Sequence, residues 1–379
     1  MLTINKRILI FSLSYFPLVG GAEIAVKEIT DRISNIEFDM VTLRFDKSHP
    51  KFERIENVNV YRIDSFKTLF PIKACLYARK LHKARHYDVA WSIMAAYAGF
   101  AGLLFKFFNS KLPLILTLQE GDSLEHINKR VGILQPLFKK IFTKADKIQA
   151  ISTFLAQWAQ DVGYKGVVEV IPNGVDVARF SKNGHIEPHN GIVLITTSRL
   201  VEKNAVGDII EALKFLPENV SLKILGTGPL EIDCKLKIKN WKLEGRVEML
   251  GHVDHSEIPR YLHQSDIFIR PSVSEGFGSS FIEAMAAGLP VIATPVGGIV
   301  DFLKDPSNSS GQVATGLFCE VGNPESIAKQ VKRLIADEPL RNKLIVNARK
   351  MVEEKYDWNL IAKEMKTGVF DPAIAGQVM

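Results

Sequence analysis

The stretch DIFIRPSVSEGFGSSFIEAMAAGLPVIAT, Asp266–Thr294, changes its hydrophobic period twice. DIFIRPS (266–272) is apolar and ends at a proline, the profile of a buried strand. SEGFG (274–278) follows as a loop with two glycines. Phe281, Ile282, Met285 and Ala286 then fall at helical spacing, and PVIAT (290–294) returns to strand pattern. A strand, a helix and a second strand in about 30 residues describe a parallel pair with its crossover.

The same alternation extends in both directions. Strand candidates in the first half are RILIFSL (7–13), FDMVTLR (38–44), VNVYRI (58–63), DVAWSI (88–93), LPLILTL (112–118), KIQAIS (147–152) and VVEVIP (167–172). In the second half they are GIVLITTS (191–198), VSLKILG (220–226), VEMLG (247–251), DIFIRPS, PVIAT and GLFCE (316–320). Helical stretches lie between most of them, so the fold class is α/β with parallel sheets. A chain of 379 residues exceeds one ordinary core and suits two domains of roughly 150–200 residues each. The seam falls at RFSKNGHIEPHNG (179–191), which is polar, rich in Gly and Asn, and aperiodic. Two doubly wound domains facing across a cleft are therefore expected, with ligands outside the carboxyl ends of the strands.

The composition, 46% hydrophobic and 24% charged, is that of a globular protein. Three widely spaced cysteines, Cys75, Cys234 and Cys319, argue against a disulfide framework or zinc site and fit a reducing compartment. MLTINKRILIFSLSYF starts basic, but its apolar run is short and no small-residue cleavage site follows, so no signal peptide is expected. The uncharged run Val89–Phe105 is shorter than the roughly 20 residues of a membrane span and reads as buried structure. The net charge of +6 is uneven: residues 51–150 carry 17 Lys and Arg against 8 Asp and Glu. A basic surface suggests an anionic partner, nucleic acid or an acidic membrane, unless these are solvated helix faces.

Two carboxylates in the opening stretch need a reason. Glu275 stands where a strand gives way to a loop, and Glu283 stands inside an apolar helix. Ser280-Phe281-Ile282-Glu283 matches a capping box, in which Glu283 reaches back to the helix start. Glu275 reads either as an exposed loop acid or as a site residue. The amides at 277–280 form a helix N-terminus beside glycines, suited to phosphate.

The pattern E-G-F-G-x4-E-A-M-A-A-G-x-P-V-I-A-T over 275–294 resembles the E-x7-E motif of the family 4 retaining glycosyltransferases, which have the GT-B fold. GGAE (20–23), IPNGVD (171–176), TSRLVEKN (197–204), GTGPL (226–230), YLHQSDIFIRPSVSEGFG (261–278), TPVGGIVDFL (294–303) and DWNLIA (357–362) are similar to family segments, in family order. The resemblance implies two Rossmann-like domains: an acceptor domain, 1–176, and a nucleotide-sugar donor domain, 190–355. A C-terminal helix, 356–379, would cross back to the first. It implies retaining transfer of a hexose from a nucleotide diphosphate sugar to a lipid-linked or glycan acceptor in bacterial envelope polysaccharide synthesis. The protein would be cytoplasmic, possibly at the inner face of the membrane, with no nucleic acid as partner.

By resemblance, Glu275 orients the transferred sugar, and Arg199 and Lys203 hold the diphosphate. Glu283 takes the ribose hydroxyls, a use that competes with the capping box, which a ligand-free enzyme could still show. The segment Gly276, Phe277, Gly278, Ser279 and Ser280 supplies donor-side amides, and Gly226, His252 and Val253 shape the nucleotide pocket. Gly20 and Gly21 line the cleft near diphosphate and acceptor. The family lysine often stands five residues after the arginine, where this chain has Asn204 and places Lys203 one residue earlier. A second departure is TLQEGD (117–122), where Gln119 replaces a family histidine and Glu120 a glycine. Gln119 cannot carry a proton as an imidazole does, and Glu120 with Asp122 would either bind the acceptor or remain solvated loop acids. No aspartates are spaced D-x-D, so no cofactor and no metal are expected.

Three rival readings remain at this level. A GT-B phosphorylase or sucrose synthase-like enzyme would share the donor side. A sugar-nucleotide binding protein would lack catalysis. A nicotinamide-dependent oxidoreductase would need a G-x-G-x-x-G turn after a strand, and none is found.

Overall fold

The computed structural model describes residues 6–181, 190–307 and 313–375. It divides into two compact units, Met1–Asn173 with Trp358–Met379, and Gly174–Asp357.

The first unit holds an eight-stranded sheet, β1 (Lys6–Phe11), β2 (Ile36–Leu43), β3 (Phe52–Ile55), β4 (Val58–Ile63), β5 (Val89–Ile93), β6 (Leu114–Leu118), β7 (Lys147–Ala150) and β8 (Val168–Val170). The order is β3-β4-β2-β1-β5-β6-β7-β8, and only the β3–β4 pair is antiparallel. Its helices include α1 (Gly21–Asp31), α2 (Phe70–Arg85), α3 (Tyr97–Phe108), α4 (Leu124–Val131) and α5 (Gln135–Thr143). Strand β1 explains why these strands read as unbroken apolar runs. Ile8 and Ile10 pack with Ala25, Val26 and Ile29 of α1, on one face. Leu9 and Phe11 pack on the other with Phe70 and Ala74 of α2 and Phe105 of α3. Helices cover both faces, so both side-chain sets must be apolar.

The chain returns to this unit at its end. Helix Trp358–Glu364 continues as a π-helical turn, Met365–Phe370, and a short helix, Asp371–Ala375. Trp358, Ile361, Met365, Val369 and Phe370 enter the α1-side core. The single helix expected over 356–379 is thus three pieces starting at Trp358, and 376–379 lie outside the described residues.

The second unit holds a six-stranded sheet, all parallel, of β9 (Ile192–Thr197), β10 (Val220–Leu225), β11 (Val247–Gly251), β12 (Ile267–Arg270), β13 (Val291–Ala293) and β14 (Leu317–Phe318). Their order is β11-β10-β9-β12-β13-β14. The core gathers Leu194, Ile209, Leu222, Ile224, Ile269 and Ile292, among others, and Cys234 and Cys319 are buried in it. All three cysteines are reduced and buried.

Where sequence and structure differ, local chemistry gives the reason. The seam read at 179–191 begins too late: the second unit already starts at Gly174, and Val177–Phe180 is a short helix within it. Asp176 caps it by accepting from Arg179 N at 3.0 Å, and Phe180 is buried. The rest of that seam, 182–189, lies outside the described residues. Strand β3, FERI, was not anticipated: it is an edge strand whose residues are all at least partly exposed, so it lacks an apolar run. The uncharged run Val89–Phe105 is a strand, β5, followed by most of α3. Among the described residues, no helix is long and apolar enough to cross a membrane.

Candidate active site

In the second unit, chain order reverses between β9 and β12, which are neighbours. Loops leaving a sheet at such a point diverge and open a crevice at the strands' carboxyl ends. Arg199 and Lys203 follow β9, and Glu275 follows β12, so three of the predicted residues stand at this point.

The loop after β9 is held by its neighbours. Leu200 N donates to Thr227 O at 3.0 Å, and Leu230 N to Leu200 O at 3.1 Å. Gly226 has φ +135°, and a Cβ there would lie 2.0 Å from Ser198 O. GTGPL is therefore a backbone buttress for the Arg199 loop. Arg199 itself is exposed, and Lys203 is half-buried. Lys203 O accepts from Val273 N at 2.7 Å, which ties the β9 loop to the β12 loop.

Glu275 is no exposed loop acid. It is 7% exposed, and its carboxylate pairs with the guanidinium of Arg270, the last residue of β12. Its Oε1 accepts from Gly276 N at 3.1 Å, so that amide is already used. Behind it, Glu275 O accepts from Gly298 N at 3.1 Å. A Cβ on Gly297, at φ +53°, would come within 1.8 Å of that oxygen. The TPVGG segment thus fixes the backbone from which Glu275 projects.

Helix Ser279–Ala286 begins directly after the SEGFG loop, where the helical periodicity starts. Gly278, at φ +92°, takes the cap position, and Phe281 N donates to Gly278 O at 3.0 Å. Phe277 turns its ring into the core against Phe302 and Tyr356, leaving only its backbone to the loop. The capping box does not form. Ser280 Oγ accepts from Arg270 Nη1 at 2.9 Å, and Glu283 Oε1 accepts from His255 Nε2 at 2.8 Å. The box needs Ser280 at the cap, but Gly278 holds that position, which puts Glu283 five residues beyond the cap and out of register for it.

Sequence reasoning passed over Arg270 and His255, and noted Asn204 only as a departure from the family pattern. The available signals were an arginine ending the otherwise apolar IFIR and an asparagine at the family lysine position. Asn204, 2% exposed, donates to Arg199 O at 2.7 Å and accepts from Arg270 Nη2 at 3.0 Å. Of the histidines near the nucleotide segment, His252 is exposed and lies 3.5 Å from Asp254, while His255 makes the contact with Glu283. Val253 is half-buried, and Gly226 N donates to Gly251 O at 2.7 Å beside it.

The other predicted residues belong to the first unit. Gly20 caps α1 in an extended conformation, and Ile24 N donates to its carbonyl at 3.1 Å. Gly21 opens the helix with free space where a Cβ would stand, so packing does not demand glycine there. Gln119 and Glu120 follow β6 and are both buried. Gln119 Oε1 accepts from Asn173 Nδ2 at 3.4 Å. Glu120 is not a solvated loop acid: Ala95 N and Gln119 N donate to its two oxygens at 2.5 and 2.9 Å. Burial outweighs these amides and pushes its carboxyl up to about 7. Asp122 is exposed in part, with Arg130 Nη1 at 3.7 Å.

Comparison with known proteins decides the class. The model for "Glycosyl transferases group 1" matches residues 178–351, and that for "Glycosyltransferase Family 4" matches 19–179. The chain is a family 4-like glycosyltransferase with the GT-B fold. An uncharacterised glycosyltransferase of Methanocaldococcus jannaschii is 29% identical over 353 residues, 91% of this chain and 92% of that one. The N-acetyl-alpha-D-glucosaminyl L-malate synthase of Bacillus anthracis is 25% identical over 382 residues, 94% and 95% of the two chains. The Anabaena protein HepE, solved in complex with UDP and glucose, superposes with a TM-score of 0.80 at 21% identity, covering 97% of the glycosyltransferase and 100% of HepE. That similarity carries the fold.

Proposed function

We propose that this glycosyltransferase moves a hexose from a nucleotide diphosphate sugar to an acceptor hydroxyl with retention of configuration. The supporting observation is the pair of carboxylates on either side of Gly278: Glu275, buried against Arg270, and Glu283, held by His255. Glu283 accepts the ribose hydroxyls, and Glu275 orients the sugar and offsets oxocarbenium-like charge. Arg199, Lys203 and the N-terminus of Ser279–Ala286 stabilise the departing diphosphate. The sugar C1–O bond to the diphosphate breaks and a bond from C1 to the acceptor oxygen forms on the same face. The acceptor proton passes to the diphosphate oxygen, so no dedicated base and no metal enter. The UDP and glucose bound to HepE support a nucleotide-sugar donor here.

The acceptor is proposed to be lipid-linked or a glycan of a bacterial envelope polysaccharide, received by the first unit near Gly20, Gly21, Gln119 and Asp122. Exposed apolar residues on α2, α3 and the turn before α5 support contact with an anionic membrane: Ile72, Leu76, Phe107, Phe108 and Ile133. The guanidinium of Arg79 stacks on Phe108 at 4.3 Å, which brings a cation of α2 onto the exposed end of α3. The protein would then work at the inner face of the cytoplasmic membrane.

The test is a thermal-shift panel of UDP-, GDP- and ADP-sugars with NAD as control, in chelator, followed by slow donor hydrolysis on any hit. One nucleotide class should stabilise the protein and be hydrolysed without added metal. A shift with NAD alone, or with no nucleotide sugar, would overturn the reading.

A further inference from the structure

Arg270 ends β12 directly after three buried apolar residues, Ile267, Phe268 and Ile269. Its guanidinium lies over the Phe281 ring at 5.5 Å and reaches three segments of the donor site. Nη2 donates to Asn204 Oδ1 at 3.0 Å and to Glu275, and Nη1 donates to Ser280 Oγ at 2.9 Å. The fork thus joins the loop after β9, the loop after β12 and the first turn of helix Ser279–Ala286. Stability gives no reason for such a group. The Arg270 side chain is 12% exposed and that of Glu275 is 9%, and Arg270 Nε is buried with no hydrogen-bond partner among the described residues. The attraction within an enclosed ion pair seldom offsets its loss of water, and well-packed apolar residues in its place often leave a protein as stable or more so. An unmet N–H adds to the cost.

What the arginine does for Glu275 gives the reason. A carboxylate enclosed to this degree without a cation neutralises or turns to solvent. Here Arg270 holds one oxygen of Glu275, and Gly276 N donates to the other at 3.1 Å, so the carboxylate is fixed from both sides. We infer that Arg270 is the positioning residue of Glu275: it keeps the carboxylate charged and aimed at the transferred sugar, and touches no substrate itself. This rests on the role of Glu275 proposed above. Asn204 and Ser280 serve the same end, since each accepts from the guanidinium and keeps it from swinging away. Asn204 is 2% exposed and is itself held by donating to Arg199 O at 2.7 Å. Acceptors on three separate segments call for a planar fork and not for the point charge of a lysine.

A double-mutant cycle on the full chain tests this, with wild type, Arg270→Gln, Glu275→Gln, Arg270→Gln/Glu275→Gln and Arg270→Lys. Hydrolysis of the nucleotide sugar that wild type accepts gives kcat and KM. Affinities for UDP, GDP and ADP and the melting temperature are read alongside. Arg270→Gln should lower kcat about 100-fold, with KM and nucleoside diphosphate affinity kept within about threefold. In the Glu275→Gln background the same change should cost less than about threefold in kcat, since no charge is left to position. The double variant should melt above Arg270→Gln, because no carboxylate is then buried without its cation. Arg270→Lys keeps the charge without the fork and should lose about tenfold in kcat. An arginine needed only for the fold would lower the melting temperature and leave kcat of the folded protein within about threefold of wild type. An arginine acting on the substrate would multiply its loss with that of Glu275→Gln, and one holding the whole pocket together would lose diphosphate affinity along with kcat. Any of these three results overturns the inference. If Arg270→Gln does not fold, Arg270→Lys takes its place in the cycle and the same comparison decides. A wild type that hydrolyses a donor while Arg270→Gln matches it removes this inference alone. Full activity in Glu275→Gln, or a wild type that binds no nucleotide, removes the functional reading with it.

Discussion

His255 and Glu283 are joined side chain to side chain at 2.8 Å, linking the loop after β11 to the helix that follows Glu275. The carboxylate proposed to bind ribose is therefore oriented before any donor arrives.

Removing the charge at Glu283 should weaken the donor and spare the chemistry. Glu283→Gln is expected to raise the donor KM about tenfold, the worth of a charge-assisted hydrogen bond, and to change kcat less than threefold. His255→Ala should raise KM about threefold by freeing the carboxylate's rotamer. Donor kinetics at saturating acceptor decide both, and an unchanged KM in Glu283→Gln would remove its ribose role.

A methyl group at Gly297 should damage both fold and site. Its Cβ would press on Glu275 O at 1.8 Å in a left-handed conformation. Gly297→Ala is expected to cost about 2–4 kcal/mol in chemical denaturation and most of the activity. Gly21→Ala meets no atom within 4 Å and should leave stability within about 0.5 kcal/mol. Equal losses in the two variants would refute the distinction between a packing glycine and an open one.

The fold was legible because both sheets are covered on both faces, which writes strands as apolar runs and separates them from helices by period. Strand β3 escaped because an edge strand needs no such run. Glu275, Glu283, Arg199 and Lys203 were singled out through their order along the chain and their resemblance to a family pattern. Their partners were not. Arg270 and Asn204 stand close in the chain to Glu275 and Arg199, but no local period marks a residue whose partner is 66 positions away, as Asn204 is from Arg270, or 28, as His255 is from Glu283. Of the two readings of Glu120, the solvated loop acid fails for a related reason. An acid in a Gly-Asp loop looks solvated until the fold brings Ala95 N, 25 residues distant, onto it.

Glu120 gives the protein a pH-dependent stability. Its carboxyl lies near 7 in the folded state against an ordinary 4.5, so the folded form holds the proton more tightly. Stability contributed by this group is complete below about 4.5 and is lost as pH rises through about 7. The linkage amounts to about 3 kcal/mol at most. Urea denaturation of wild type and Glu120→Gln from pH 5 to 8 should show wild type losing ground to the variant as pH rises. The half-buried His82, lowered by desolvation, titrates in both proteins and cancels in the difference. A difference that is flat with pH, or of opposite slope, would refute this account.

The basic and apolar surface of the first unit should make the protein float with acidic liposomes. Phe107 is 82% exposed and Ile133 94%, so replacing both with Ser costs little core. The Phe107→Ser/Ile133→Ser variant is expected to lose at least tenfold in the liposome-bound fraction while its donor hydrolysis is kept. Wild-type protein remaining at the bottom of the gradient with anionic lipid would exclude the membrane partner.

The first unit is assembled from two segments, with the whole of Gly174–Asp357 inserted between them. During synthesis, β1 to β8 leave the ribosome long before the rings and methyls that complete their core. Phe370 packs on Trp91 at 5.0 Å and on Phe38 at 6.1 Å, and neither contact exists until the whole second unit has been made. The second unit is continuous and can close as soon as it emerges. The part translated first is therefore finished last, and a nonsense codon at Trp358 would leave the second unit's chain whole while stripping the first unit of part of its core.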